Sequence, residues 1–270
     1  MKSKKNLLCV LVSLALLTAG CGGGEKKQEA KPAPNAEPVN VLKVGMDAAY
    51  PPFGSQDIKT KEYVGFDVDI IKAIGAEEGF KAEIQNLPFD GLIPALKTGN
   101  IDVAINDITI NEERAQSVDF SKRYYIAGLG VVVKKDNNTI KTVKDLEGKR
   151  LGVSIGSTGE EAARKIPNAQ VKVFNQLNEA FLEAKNNGVD AVINDIPTNE
   201  YYANTTGRED VKTVELALTQ EDLGIAVKKG NKKLLTKIDS GLAKIKKNGE
   251  FTKIYKKWFG KEPPKILLDE

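Results

Sequence analysis

The sequence predicts an α/β protein built from two similar lobes, and three observations support this. The twelve residues IDVAINDITINE (101–112) return with few changes as VDAVINDIPTNE (189–200). The same order of strands and helices precedes each copy, as expected of two βαβαβ units. Two extended, glycine-bearing runs, residues 121–133 and 223–229, lie where the chain would leave the first unit and return to it. We therefore expect two lobes joined by two hinge strands.

The first unit shows the apolar spacing of alternating strands and amphipathic helices. Its longest helix is predicted from Phe66, Ile70, Ile71 and Ile74, which recur at helical spacing, and from Gly79, which suits a helix C-cap. The two prolines that follow the first strand exclude a helix there. The predicted elements are strands at 41–45, at 81–87 and from Ile101, and helices at 65–79 and 89–99.

The second unit repeats this order, and two helices follow it. Its predicted elements are strands at 150–155, at 169–174 and from Val189, and helices at 157–166 and 178–186. Two further helices, at 232–247 and 249–259, should cover the first lobe, and their lysine-rich face is interpreted as solvated.

The N-terminal forty residues differ in composition from the rest. Residues 1–20 have a lysine-rich start and an apolar run, which is typical of a secretory signal peptide. LTAGC (17–21) resembles the bacterial lipobox, although Thr18 stands where an apolar residue is usual, so Cys21 is predicted to carry lipid. Ordinary signal cleavage is the alternative. Residues 21–40 are predicted to be a flexible tether. The remaining boundaries are 41–124 with 224–264 for the first lobe, 129–219 for the second, and 125–128 with 220–223 for the hinge.

Charge and residue content exclude several classes of function. Without Lys2, Lys4 and Lys5 the chain has equal numbers of basic and acidic residues, 37 each, so nothing predicts a nucleic-acid partner. The chain contains no histidine, which removes the commonest general base and zinc ligand. No P-loop lysine or GxGxxG array follows the strand-to-helix turn at 155–160, so the sequence does not predict a nucleotide-binding site there. We expect no metal and no cofactor.

Asp107 and Asp195 end the two repeated strands. Ligands of open α/β sheets bind at the carboxyl ends of strands, so both carboxylates are candidates for facing one cleft. They could bind an amine, act as a general acid and base, or cap the residues that follow. The repeat argues for equivalent placement in the two lobes.

Arg114 lies in the first turn of a predicted helix that Asn111 caps. The helix dipole disfavours a cation there, so the position of Arg114 calls for a functional or structural explanation. It could hold a ligand carboxylate through a two-pronged guanidinium contact, or it could pair with Asp107 or Asp119. Ser157 and Thr158, in the small-residue turn of the second unit, could offer backbone N–H groups to the same anion or simply begin a helix.

Motifs spread over residues 42–262 resemble those of the polar amino-acid-binding proteins of bacterial ABC importers (solute-binding protein family 3), especially the glutamine and lysine/arginine/histidine receptors. The motifs are DAAYPPF (47–53), YVGFDVD (63–69), FDGLIP (89–94), TINEER (109–114), VDFS (118–121), VKDLEG (143–148) and IYKKWFG (254–260). The resemblance implies a type II periplasmic binding protein fold and a protein that captures a polar L-amino acid without catalysis.

The resemblance also implies roles for individual residues. Arg114 would bind the ligand α-carboxylate with Thr109 and the amides around Thr158, and Asp195 would bind the α-ammonium. Tyr50 and Phe89 would be aromatic walls, and Asp47 would contact the ligand side chain. The expected ligand-binding set is Asp47, Tyr50, Phe89, Asp107, Thr109, Arg114, Ser157, Thr158, Asn194 and Asp195.

Two positions depart from the family pattern and make the predicted site more negative. Asp107 stands where glycine or serine is usual, and Ser154 stands where the glutamine receptor has a lysine. We therefore predict a basic amino acid, lysine or arginine, in preference to glutamine. The expected partners are this ligand, an ABC permease and, through the lipid anchor, the cell membrane on its extracytoplasmic side (periplasmic or outer face), with the protein a monomer. The alternatives are a cyclohexadienyl dehydratase-like enzyme that uses Asp107 and Asp195, and an amino-acid sensor module.

Overall fold

A computed structural model describes residues 40–269, which form fifteen strands and nine α-helices. The strands are β1 Asn40–Met46, β2 Ala49–Tyr50, β3 Gly54–Gln56, β4 Tyr63–Val64, β5 Phe80–Asn86, β6 Val103–Ala104, β7 Val118–Phe120, β8 Tyr125–Ala127, β9 Leu129–Lys134, β10 Arg150–Ser154, β11 Gln170–Phe174, β12 Ala191–Asp195, β13 Val211–Val214, β14 Glu221–Leu223 and β15 Ala226–Lys228. The helices are α1 Phe66–Glu78, α2 Leu92–Thr98, α3 Glu112–Ser117, α4 Thr158–Arg164, α5 Leu177–Lys185, α6 Ile196–Asn204, α7 Lys232–Lys247, α8 Glu250–Phe259 and α9 Lys265–Leu268, with 3-10 turns at Phe89–Gly91 and Val143–Leu146. The predicted signal peptide, Cys21 and most of the predicted tether lie outside the described residues.

The two predicted units have the same sheet topology. In the first sheet β1 lies between β5 and β6, parallel to both. In the second sheet β10 lies between β11 and β12, again parallel to both. Each strand order follows from two βα crossovers, so the internal repeat in the sequence corresponds to a repeat in the fold.

Each sheet is completed by antiparallel strands that come from the connecting segments. In the first sheet β15 pairs with both β6 and β7. In the second sheet β9 pairs with both β12 and β13. Between the sheets, β8 and β14 pair with each other and carry the chain from one lobe to the other and back. The two-lobed α/β fold predicted from the repeat is confirmed, while the residue boundaries of lobes and hinge stay predictions.

The two connecting segments approach each other so closely that one glycine is required. A Cβ atom at Gly128 would lie 2.2 Å from the carbonyl oxygen of Thr219 on the returning segment. No side chain fits at that separation. A larger residue at position 128 would therefore push the two connections apart.

The first lobe buries its aromatic side chains under the two C-terminal helices. Phe66 and three isoleucines of α1 pack against α7 and α8, and Gly79 ends α1 in the left-handed conformation (φ 65°), as predicted. Most predicted elements occur within two residues of their expected ends. The strand expected from Ile101 is shorter: β6 spans only Val103–Ala104, because its neighbours β1 and β15 each pair with just two of its residues. None of the helices in residues 40–269 has the length and apolar character needed to span a bilayer.

Candidate functional site

The two lobes contact each other directly across a cleft. The Tyr50 hydroxyl donates to Ser154 Oγ (2.7 Å), and Arg114 Nη2 donates to the Gly156 carbonyl (3.0 Å). The Thr198 hydroxyl donates to Asp107 Oδ2 (3.3 Å). Each of these bonds joins a residue near the first sheet to one near the second. The candidate site is therefore built from both lobes.

Arg114 is buried, with 8% of its surface exposed, and none of the ion pairs among residues 40–269 includes its guanidinium. It donates to two carbonyl oxygens, those of Thr109 (3.1 Å) and Gly156 (3.0 Å), and lies 5.4 Å from the centre of the Phe89 ring. A guanidinium has five N–H donors, so donors remain for another acceptor. Burial lowers the pKa of Arg114. Pairing with a carboxylate would offset the cost of burying this cation.

The structural alternatives for Arg114 do not occur. Asp119 is bound by Lys229 (3.1 Å) and Lys232 (3.0 Å), and Asp107 accepts from Thr198. The helix that carries Arg114 begins as predicted, because Asn111 Oδ1 accepts the Arg114 N–H (2.8 Å). This cap fixes the backbone of Arg114 and leaves its side chain free to reach across the cleft.

Three buried aspartates, Asp47, Asp107 and Asp195, lie around Tyr50. The charge of each raises the pKa of the Tyr50 hydroxyl, although burial of the hydroxyl has the larger effect. Each aspartate also has one buried carboxylate oxygen that bonds to nothing among residues 40–269. Buried polar atoms are nearly always hydrogen-bonded, and exceptions mark functional positions more often than others. The structure brings together the carboxylates that the two repeats predicted.

Asp195 ends β12 and precedes α6, but its side chain does not cap that helix. Burial raises its pKa to about 8, with a further contribution from the charge of Glu221, while Arg114 acts in the opposite direction. The neighbouring Asn194 is fully buried, and its side-chain nitrogen has no acceptor among the described residues. The capping role considered for Asp195 is therefore absent, and an oxygen remains for a ligand cation.

Asp107 has a left-handed backbone conformation, and its N–H group contacts a second acidic residue. Its φ of 53° lies in the left-handed region, which glycine adopts without cost. The Asp107 N–H donates to Asp67 Oδ2 (2.9 Å), and Asp67 is completely buried. Burial, and then the charges of Asp195 and Asp67, raise the pKa of Asp107 well above its ordinary value.

Asp47 is held in place by its backbone. Its N–H donates to Asn106 Oδ1 (2.7 Å), and its carboxylate accepts the Ala49 N–H (3.1 Å). Burial raises the pKa of Asp47 to about 6. The rings of Tyr50 and Phe89 lie 5.7 Å apart, and Tyr50 packs into the core of the second lobe. The predicted aromatic pair thus lies between the lobes.

Thr109 and Thr158 are joined by a residue that the sequence did not indicate. Both hydroxyls donate to Glu221 Oε2, at 2.5 and 2.9 Å. Ser157, by contrast, is occupied by the start of α4: its hydroxyl donates to the Ser154 carbonyl (2.7 Å) and accepts the Glu160 N–H (3.1 Å). Of the predicted binding residues, Ser157 has the clearest structural role.

Three buried polar residues of the site were missed from the sequence. Asn106 is the counterpart of Asn194 in the repeat, so the repeat itself could have revealed it. Asp67 lies on the buried face of α1, where the apolar spacing hides it. Glu221 contacts residues 112 and 63 positions away, and no local pattern could indicate those contacts.

A separate groove of about 730 Å³ lies at the connecting segments. It is lined by Thr109, Thr158 and Glu221 together with further polar and apolar residues, but by none of the three aspartates Asp47, Asp107 and Asp195. Residues 40–269 hold no cluster of side chains suited to a metal ion.

Comparison with known proteins agrees with this architecture. The sequence model of the bacterial extracellular solute-binding proteins, family 3, matches residues 42–261. A probable histidine-binding protein of Neisseria gonorrhoeae is 33% identical over 266 residues, which cover 97% of this chain and 98% of that protein. The ABC transporter arginine-binding protein 1 of Escherichia coli (strain K12) is 36% identical over 228 residues, which cover 83% of this chain and 91% of that protein.

A solved structure of an ancestral arginine-binding protein bound to arginine superposes with a TM-score of 0.78 and 45% identity, over 82% of this chain and 99% of that one. The family match spans both sheets, both connecting segments and every described residue of the candidate site. The chain belongs to the bacterial extracellular solute-binding proteins, family 3.

Proposed function

We propose that this protein binds a basic L-amino acid, lysine or arginine, in the cleft between its lobes. The observation that carries the proposal is the set of buried carboxylates Asp47, Asp107 and Asp195, each with an oxygen that has no partner among residues 40–269, together with the buried cation Arg114. The names of the arginine- and histidine-binding relatives support the same ligand class.

The charge balance favours a basic over a neutral ligand. Every α-amino acid brings an ammonium group for Asp195 and a carboxylate for Arg114. A glutamine ligand would leave Asp47 and Asp107 without a compensating charge. Burying an unpaired carboxylate costs several kcal/mol, and a cationic side chain offsets that cost for one of the two. Ionisation of these acids is therefore easier with lysine or arginine bound.

Within the described part of the chain, no basic side chain bonds to Asp47 or Asp107. Asp107 bonds to Thr198 rather than to Arg114, and Arg123 bonds to Asp222 at 3.1 Å. Ser154, where the glutamine receptor has a lysine, is completely buried and bonds to Tyr50. The side chain at position 154 therefore adds no positive charge that would repel a basic ligand.

Competition binding tests the ligand class. Labelled arginine is bound to the purified protein and displaced with unlabelled lysine or glutamine; lysine should displace it at lower concentration. Asp107→Asn should reduce the preference for lysine over glutamine at least tenfold, whereas Asp136→Asn, a charge removed from an exposed turn, should leave it unchanged. Stronger displacement by glutamine than by lysine in the wild-type protein would refute the charge argument.

We further propose that the protein is held to the membrane by lipid on Cys21 and delivers its ligand to an ABC permease. Its relatives are binding proteins, and we expect no turnover. The dehydratase alternative would need Asp107 and Asp195 to transfer protons. Mass spectrometry after incubation with prephenate or arogenate distinguishes the two, because a converted substrate would establish an enzyme.

A further inference from the structure

Glu221 joins three hydroxyl groups through one carboxylate. Its Oε2 accepts from Thr109 (2.5 Å) and from Thr158 (2.9 Å), and its Oε1 accepts from Thr219 (2.8 Å). Thr109 precedes α3 at the first lobe, and Thr158 begins α4 of the second. Glu221 itself lies on β14, one of the two strands that connect the lobes. A single oxygen atom is thus bonded to both lobes from the connection between them.

We propose that Glu221 is a latch that holds the two lobes together at the hinge and positions Thr109 and Thr158 for ligand binding. Glu221 is a positioning residue, because it would act on the ligand only through these two threonines, whose hydroxyl groups donate to its carboxylate. The positioning of Thr109 and Thr158 rests on the proposed amino-acid site. The contact that holds the two lobes together does not depend on that proposal.

The geometry favours a strong contact. Hydrogen bonds from hydroxyl groups to a carboxylate are short and about twice as strong as those between neutral groups. Glu221 is buried, and none of the ion pairs found in residues 40–269 includes it. The three hydroxyl groups are therefore its hydrogen-bond donors, while Arg114 interacts with it only at longer range through its charge. Separating the lobes would take at least one of them away, and a buried carboxylate that loses a donor is destabilised.

The latch also restricts what the two threonines can offer a ligand. A threonine hydroxyl has one hydrogen, and in both residues it points to Glu221. The hydroxyl groups of Thr109 and Thr158 are consequently acceptors on any other side. A ligand carboxylate near them must be bound by Arg114 and by backbone N–H groups, so the latch positions the backbone of Thr109 and Thr158 and not their hydroxyl groups as donors.

The position of the latch gives it a second effect, on the release of ligand. Thr109, Thr158 and Glu221 line the groove of about 730 Å³ at the connecting segments, whereas Arg114 and Asp195 do not. The latch therefore lies on the groove side of the cleft, and we place it between the groove and the bound ligand. Without it, water can enter the cleft from the hinge side, and ligand dissociation should become faster.

Substitution of Glu221 with two matched variants tests the latch. Glu221→Ala removes all three acceptor contacts, while Glu221→Gln keeps an oxygen that can accept from both threonines. Asp222→Asn is the control, because it removes the same charge one residue further along β14, where the carboxylate pairs with Arg123 at the surface. Affinity and dissociation rate are measured for arginine, lysine and glutamine by calorimetry and surface plasmon resonance.

We expect Glu221→Ala to weaken binding at least tenfold, which is about 1.4 kcal/mol, mainly through faster dissociation. Glu221→Gln should stay within about threefold of the wild type, as should Asp222→Asn, because each keeps the contacts that join the lobes. If Glu221→Ala behaves like Asp222→Asn, or if Glu221→Gln is as impaired as Glu221→Ala, the latch is refuted.

Two further measurements test the latch even if Glu221→Ala lowers stability or if the wild-type protein binds none of the three amino acids. Thr158→Val removes only the second-lobe contact, and it should have no added effect when combined with Glu221→Ala; full additivity of the two changes refutes the latch. Small-angle X-ray scattering of the ligand-free protein should give a larger radius of gyration for Glu221→Ala than for the wild type. An equal radius refutes the latch even if the wild type binds none of the three amino acids, a result that would refute the proposed function alone.

Discussion

Replacement of Arg114 by alanine separates a ligand-binding arginine from a structural one. In the ligand-bound cleft of the variant, the α-carboxylate would be buried without its partner. Leaving one charge of a buried pair unpaired costs about 2–5 kcal/mol. At about 1.4 kcal/mol per tenfold change, the dissociation constant should rise by about thirtyfold to several thousandfold.

The stability of the ligand-free protein should change much less. The substitution removes two hydrogen bonds from a charged donor, to the carbonyls of Thr109 and Gly156, each worth about 1.5–3 kcal/mol. It also removes the cost of burying a cation that has no carboxylate partner among the described residues, which is several kcal/mol in the opposite direction. We expect the two to offset each other, so the melting temperature should shift by less than about 4 °C.

Calorimetry of ligand binding and a thermal melt without ligand measure the two effects. Arg114→Lys is the matched variant: it keeps the charge but cannot bind a carboxylate with two parallel N–H groups, so its affinity should lie between those of the wild type and the alanine variant. An unchanged dissociation constant with a clearly lowered melting temperature would refute the reasoning and establish a structural arginine.

Two other predictions concern acidity and location. Burial raises the pKa of Asp67 from 3.8 to about 7, so the folded protein favours its protonated form, and ligand-free stability should fall as the pH rises between these values. Melting temperatures measured across this range should fall less in Asp67→Asn, and an identical slope in the variant would contradict the assignment. Cys21→Ser should release the protein from membranes, because stable anchoring needs more than one acyl chain and none would be attached. If the variant still sediments with membranes after fractionation, lipid on Cys21 is not the anchor.

The fold was predictable because the sequence contains two copies of the same structural unit. Apolar spacing located most elements, and the repeat of residues 101–112 at 189–200 indicated two equivalent units. Strand length was less predictable, since it depends on partners. The second copy pairs with β9 as far as Asp195 opposite Leu129, whereas the first copy finds only two partner residues on each side.

The site was predictable where it coincides with strand ends and poorly predictable where it depends on distant contacts. Asp107 and Asp195 end the repeated strands, and Arg114 stood out because a cation is disfavoured at a helix start. The role of Glu221 arises only when Thr109 and Thr158 meet at one oxygen, which spacing along the chain does not encode. Ser157 matched a binding pattern and a capping pattern equally well, and the hydrogen bonds of its hydroxyl are those of a cap.

The order of strands in the first sheet has a consequence for how the chain folds. Strand β7 pairs only with β15, which lies about a hundred residues later and separates β7 from β6. The second sheet, in contrast, has all five strands within residues 129–214. The second sheet can therefore form from residues 129–214 alone, while the first sheet also requires residues 226–228 and the closure of a long loop. We therefore expect refolding in two phases, with the N-terminal lobe the later one to become protected from hydrogen exchange.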